Sequence, residues 1–222
     1  MHTGNALAGV LFDWDGTLIN SYHADSQAYL AMFRDLGFDW GLKELEAHYS
    51  PDWYVVYRAA GIPEWLWDQA NNLWRIHYAK HPSKLVTGAR KMLRNLARRH
   101  ALGLVTSGDR VRVDRQLRQF ALTETFRARV CGGDTAERKP HPAPLRKALR
   151  LMKLEPEECV YVGDTPEDLA MARAAGMRAI AFLGPFPTER QLRAAKPEFL
   201  MKRLEDLPAL LRELGSKGRT RQ

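Results

Sequence analysis

Four times along this chain a short apolar run ends on a polar residue that chemistry can use, with a helix start close behind. Val10-Leu11-Phe12 runs into Asp13-Trp14-Asp15-Gly16-Thr17-Leu18. Gly103-Leu104-Val105 delivers Thr106, and Ala128-Arg129-Val130-Cys131 leads through Gly132-Gly133 toward Lys139. Val160-Tyr161-Val162-Gly163 delivers Asp164, with Asp168 one helical turn on. Short apolar runs bounded by turn signals read as buried strands. After Gly88 the strands alternate with helical patterns: helix to Arg99, strand to Val105, helix to Phe120, strand near Val130, helix from Pro142 to Met152. A strand at Val160, a helix from Pro166 to Ala175, a strand from Ala179 to Leu183 and a last helix around Leu204 to Leu214 complete the series. Such alternation predicts an α/β fold with a parallel sheet. All strand ends of one polarity then share one edge, where open α/β folds take ligands. Carboxylates, a hydroxyl and an ammonium converge there, a set suited to phosphoryl transfer with a magnesium ion.

Between about Asn20 and Leu85 the strand signals vanish, and five of the six tryptophans fall there: Trp40, Trp53, Trp65, Trp67 and Trp74. Helices are expected from Ser21 to Leu36, Leu42 to Tyr49, Asp52 to Ala60 and Pro63 to Lys80. Ser21 is placed to cap the first, and Pro63 suits the first turn of the last. The expected organisation is a core from 1–19 and 86–215, a helical insertion over 20–85, and a polar, frayed tail at 216–222.

Composition narrows the classes. Hydrophobic content of 45% suits an ordinary globular core, and no apolar run is long enough to span a membrane. The first nine residues lack the pattern of a signal peptide. Cys131 and Cys159 both abut strand patterns and read as small core residues, which agrees with a reducing cytoplasm. Lysines and arginines number 34 against 26 acidic residues, a formal charge of +8. The cations form no long block and follow amphipathic helix faces, as Arg90, Lys91, Arg94, Arg98 and Arg99 do. A solvated basic surface is therefore preferred to a nucleic-acid interface, and its field draws phosphorylated anions.

DWDGT, Thr106 after a strand, Lys139 in Arg138-Lys139-Pro140-His141-Pro142, and Gly163-Asp164-Thr165-Pro166-Glu167-Asp168 resemble, in order, the four motifs of the haloacid dehalogenase superfamily, specifically its aspartate-nucleophile phosphatases. The resemblance runs from about Val10 to Leu211. It implies a Rossmann-like core of strand order 3-2-1-4-5 with a small helical cap after the first strand. It also implies Mg²⁺, bound by the Asp13 carboxylate, the Asp15 backbone carbonyl and Asp164, with Asp168 supporting the metal directly or through water. Asp13 is then the nucleophile, Asp15 the acid and base, and Thr106, Ser107 and Lys139 the holders of the phosphate. A carboxylate at Asp15 argues against the dehalogenating and phosphonate-cleaving branches, which lack that acid.

Each residue also has a plain structural reading. Thr165-Pro166-Glu167-Asp168 is a good helix start by itself. Thr106 or Ser107 would cap the following helix, and Lys139 would be a loop lysine. Their order at successive strand ends favours the functional reading. Cys131-Gly132-Gly133-Asp134 ahead of the lysine motif is most similar to the phosphoglycolate-phosphatase-like group, although Asn20 stands where that group commonly has Asp. In the cap, Arg58, Lys43, His48 and Tyr57 are the polar residues within reach of a substrate, Arg58 being the candidate for a second anionic group. The aromatic richness reads as helix packing. The expected activity is Mg²⁺-dependent hydrolysis of a small phosphorylated metabolite. The alternatives are a phosphosugar mutase, disfavoured because Asp25 holds the place of its usual histidine, and a non-enzymatic basic binding protein.

Overall fold

The computed structural model describes residues 7–217. The chain forms two compact units, one built from the chain up to Ile19 and from Leu85 onward, the other from Asn20–Lys84.

In the larger unit, β1 (Gly9–Phe12) is followed by β2 (Ile19–Asn20), at which the chain passes into the smaller unit. The smaller unit holds α1 (Tyr22–Asp35), α2 (Leu42–Ala47), α3 (Trp53–Ala59) and α4 (Trp67–Tyr78). Then come β3 (Lys84–Leu85), α5 (Ala89–Leu96), β4 (Ala101–Asp109), α6 (Arg110–Gln119) and β5 (Ala128–Gly132). The chain continues through α7 (Ala143–Met152), β6 (Cys159–Gly163), α8 (Pro166–Ala174), β7 (Arg178–Phe182), α9 (Glu189–Ala194), β8 (Phe199–Met201) and α10 (Leu207–Lys217). The six-stranded sheet has the order β5-β4-β1-β6-β7-β8, and β2 and β3 form a two-stranded sheet of their own. Its five longer strands take the expected 3-2-1-4-5 order, and β8 adds an edge strand and α9 a helix that the sequence pattern did not reveal.

Every pairing in the large sheet is parallel, with Phe12 level with Leu104 on one side and Val162 on the other. Alternating side chains explain why both faces are buried. Val10, Phe12, Leu104 and Val162 pack with Met92, Leu93, Val113, Leu117, Leu207 and Leu211 on one face. Leu11, Val105, Val130 and Tyr161 pack with Leu145, Leu149, Met152 and Met171 on the other. Cys131 and Cys159 are buried free thiols, as expected. Burial pushes their pKa values up, to about 11 and about 12. From β1 the chain steps to β4 on one side and later to β6 on the other. The crevice at that reversal lies beyond the carboxyl end of β1, where Asp13 follows.

Between its two boundary residues the smaller unit is helical. Tyr29, Met32, Phe33, Val56, Tyr57 and Ala70 form its buried centre. Tyr54 stacks on Trp67 with ring centroids 4.4 Å apart. The tryptophans at 40, 53, 67 and 74 pack against this centre, but Trp65 is 79% exposed, so the aromatic richness is core packing with one exception. Ser21 holds the N-cap position of α1 without a side-chain hydrogen bond, and Pro63 precedes a short 3₁₀ turn, Glu64–Leu66, that leads into α4. The final helix extends to Lys217, past the expected start of the tail, and the tail reading from residue 218 lies outside the described residues. Among the described residues no helix is long and apolar enough to cross a membrane.

Candidate active site

Asp13 is fixed by the sheet itself, its N–H donating to the Val162 carbonyl at 2.9 Å. Gly16 then turns the chain with φ of +80°, and a β-carbon there would lie 2.1 Å from Asp164 Oδ2. Glycine is required both for the left-handed backbone and for the approach of the two carboxylate segments. Thr17, fully buried, donates its hydroxyl to Asp164 Oδ1 at 3.0 Å, and Thr188 donates to the Asp164 carbonyl at 2.6 Å. Asp13, Asp164 and Asp168 each offer an oxygen within 4.8 Å of the others.

Lys139 ties this group together. Its buried ammonium donates to Asp13 Oδ1 at 2.6 Å and to Asp168 Oδ1 at 2.7 Å. Burial pulls its pKa down, but Asp13 and Asp168 outweigh that and raise it. Asp168 is satisfied by protein donors alone. Its Oδ1 also accepts from the Tyr161 hydroxyl at 3.1 Å, while Oδ2 accepts from the Thr165 hydroxyl at 2.8 Å and from the amides of Asp164 and Thr165. The last of these belongs to a capping box, with Thr165 accepting from the Asp168 amide. The structural and functional readings of this motif therefore coincide: the cap of α8 aims Asp168 at Lys139.

Asp15 stands apart from that cluster, partly exposed. Arg112, in the first turn of α6, grips both of its oxygens, Nη1 to Oδ1 at 2.8 Å and Nη2 to Oδ2 at 2.7 Å. Thr106 is buried and accepts the Gly108 amide at 3.0 Å. It does not cap α6; Asp109 does, accepting from the Arg112 amide at 3.0 Å. Strand β4 runs on to Asp109 through a register shift after Val105, so Thr106 and Ser107 occupy an irregular strand end rather than a helix start. Arg58 belongs to the smaller unit, on α3, with its guanidinium 5.7 Å above the Trp67 ring. Of the other polar residues there, Tyr57 is buried and bonds Asn71, and His48 faces the Glu44 carbonyl. Lys43 is exposed.

The electrostatics of the core cluster are unbalanced. Three buried carboxylates face one ammonium. Burial, partly offset by Lys139, raises the Asp13 pKa to about 7. Burial, with Asp13 and Asp168 beside it, holds Asp164 well above the ordinary carboxylate range. Among the described residues, Asp13 Oδ2 and Asp164 Oδ2 receive no hydrogen bond. Unpaired carboxylate oxygens with an excess of negative charge form a hard oxygen donor set, which fits a divalent cation such as Mg²⁺.

A buried carboxylate at the switch point, a lysine bonded to it and a hard-cation donor set are an arrangement suited to phosphoryl transfer on an α/β fold. The sequence profile of the haloacid dehalogenase-like hydrolases matches residues 10–182. The chain belongs to that family of hydrolases. It is 28% identical over 210 residues to the pyrophosphatase PpaX of Bacillus cereus, covering 92% of this chain and 96% of that one. The crystal structure of a predicted phosphoglycolate phosphatase from Haemophilus somnus superposes with a TM-score of 0.81 at 22% identity, covering 94% and 98% of the two chains. CbbY from Rhodobacter sphaeroides, solved with phosphate, gives 0.79 at 24% identity over 90% and 96%. At these identities the two structures establish likeness of fold.

Trp14, Thr17, Arg112, Gln116, Tyr161 and Thr188 went unrecognised in the sequence. One signal was available: Arg112 and Gln116 sit four apart beside Val113 and Leu117, so a polar pair rides on the buried stripe of α6.

Proposed function

We propose that the chain is a Mg²⁺-dependent phosphomonoester hydrolase of a small phosphorylated metabolite, working through an aspartyl-phosphate on Asp13. The observation that carries this reading is the lysine bridge: Lys139 pins one oxygen of Asp13 and leaves the other facing the site. Bound Mg²⁺ would be held by Asp13, Asp164 and the Asp15 carbonyl, and would offset the charge that otherwise repels an anionic substrate. Asp13 attacks phosphorus, the P–O bond to the leaving group breaks, and Asp15 supplies the proton to the departing oxygen. Water then attacks the phosphoryl group, Asp15 takes its proton, and phosphate leaves with Asp13 regenerated. Thr106 accepts the Gly108 amide and so keeps its own hydroxyl proton for a phosphate oxygen, beside Ser107. Lys139 balances charge on the nucleophile. Asp168, whose oxygens are already engaged, acts by holding Lys139. Arg58 is retained as the contact for a second anionic group.

The PpaX relatives favour one second reading, a phosphoanhydride such as pyrophosphate in place of a monoester. No observation favours the mutase, and family membership displaces the non-enzymatic binding reading. The test is phosphate release from phosphoglycolate, sugar phosphates, nucleotides and pyrophosphate, with Mg²⁺ or EDTA, alongside Asp13→Asn. Mg²⁺-dependent turnover of one class, lost in the variant, is expected. Turnover that survives Asp13→Asn would remove the nucleophile assignment.

A further inference from the structure

Asp15 must transfer protons in both halves of the proposed reaction, yet its carboxylate is held by a device unrelated to the metal cluster. Both oxygens lie in the fork of Arg112, a guanidinium about nine-tenths buried. A two-point fork fixes the plane of a carboxylate where a single hydrogen bond lets it spin. Arg112 is itself held. Nη1 also donates to Gln116 Oε1 at 3.3 Å, and that oxygen accepts from the buried Trp14 indole N–H at 2.9 Å. Asp109 Oδ2 lies 3.8 Å from Nε. The fold makes room for the arrangement as well, because a β-carbon on Gly108 would fall 2.2 Å from Nη2.

Stability does not account for this construction. Position 112 adjoins Val113 on a buried helix face, where an apolar side chain would continue the stripe without the desolvation that burying a guanidinium costs. What the arginine adds is direction. It occupies one lone pair on each Asp15 oxygen and leaves the second for an incoming proton or water.

We propose that Arg112 is the positioning residue of Asp15, and that Gln116 and Trp14 hold Arg112 in place. This rests on the reading of Asp15 as the proton carrier. Gly108 and Asp109 at the end of β4 and the residue between the two acids, Trp14, thereby set the orientation of one carboxylate.

The test is a double-mutant cycle of Arg112→Met and Asp15→Asn with p-nitrophenyl phosphate and Mg²⁺, whose leaving group departs without a proton. Acid quenching reads the phosphorylated enzyme and its rate of breakdown. Arg112→Met is expected to slow breakdown about 10–100-fold, so that phosphorylated enzyme accumulates, with little change in KM. Arg112→Lys restores charge but not the fork and recovers only part of the rate. In the Asp15→Asn background Arg112→Met changes breakdown less than about twofold. Equal losses in both backgrounds would overturn the proposal, as would a raised KM with unchanged breakdown, which would make Arg112 a substrate contact. Should Arg112→Met not fold, Gln116→Leu is expected to give a smaller loss, again confined to the Asp15 background; equal losses would overturn the proposal. Breakdown at the wild-type rate in Asp15→Asn alone would instead refute the role of Asp15 itself, and the inference with it.

Discussion

Lys139→Met removes the cation that the buried cluster is built around while keeping a side chain of similar length. The side chains involved are almost inaccessible, at 3% for Lys139, 8% for Asp13 and 1% for Asp168. Methionine fills the volume, so no cavity contributes, and the loss is that of leaving buried carboxylates unpaired. Breaking a buried pair from one side costs about 3–5 kcal/mol. For a chain of this size each kcal/mol moves Tm by about 2–4 °C, so a fall of roughly 6–20 °C is expected in metal-free protein at pH 8. The pH dependence gives a second handle. A carboxylate whose folded pKa is raised contributes stability that is present below its unfolded value and lost as pH rises through the folded value. Burial already lifts Asp13 from 3.8 to about 7 against the pull of Lys139. Without the ammonium the carboxylates escape the penalty by taking protons, so the deficit shrinks toward pH 5. Melting curves in EDTA at pH 5, 6.5 and 8 read both effects. A Tm within about 2 °C of wild type at pH 8, or a deficit of equal size at pH 5, would refute the account of the cluster.

Asp13→Asn is expected to lower turnover by more than about 10³-fold, yet to raise Tm at pH 8 in EDTA, since it neutralises a carboxylate whose ionised form burial disfavours; a lowered Tm would contradict this. Gly16→Ala forces a left-handed backbone on a β-branchless but chiral residue and drives its β-carbon to 2.1 Å from Asp164 Oδ2, so loss of activity by about 10²-fold or more is expected, with weakened Mg²⁺ stabilisation in melting curves. Metal affinity itself should rise with pH through about 7, because Asp13 must lose its proton to become a ligand; the Mg²⁺-induced rise in Tm is therefore larger at pH 8 than at pH 6, and equal rises would count against Asp13 as a ligand.

The parts of the fold legible in the sequence are those written into contiguous residues. Val10-Leu11-Phe12 and Val160-Tyr161-Val162 announce buried central strands by unbroken apolar character, and Thr165-Pro166-Glu167-Asp168 announces its helix by cap chemistry. Strand β8 spans only Phe199–Met201, too short for any period to show. The continuation of β4 past Thr106 is set by its neighbour: a β-carbon on Gly132 would lie 2.1 Å from the Ser107 carbonyl, a close approach invisible in either segment alone. Asp13 and Asp164 were legible because each directly follows a strand, and Thr106 and Lys139 because they fall between them in the order of the motifs. Arg112 was not, because its partner lies 97 residues away and only the pairing of β1 with β4 brings α6 beside the first motif.

The same geometry divides the acids of the site by what already holds them. Asp168 has both oxygens engaged by Lys139, Tyr161, Thr165 and backbone amides, and Asp15 has both engaged by Arg112. Asp13 and Asp164 each keep one oxygen that no donor reaches among the described residues. A cation drawn to the cluster therefore meets the two carboxylates that have unused oxygens, just past the ends of the adjacent strands β1 and β6. In the proposed mechanism the two fully engaged acids serve as a support for the lysine and as a steered proton carrier. Under that proposal four aspartates of one chemical type take three different tasks, and hydrogen-bond occupancy is what distinguishes them.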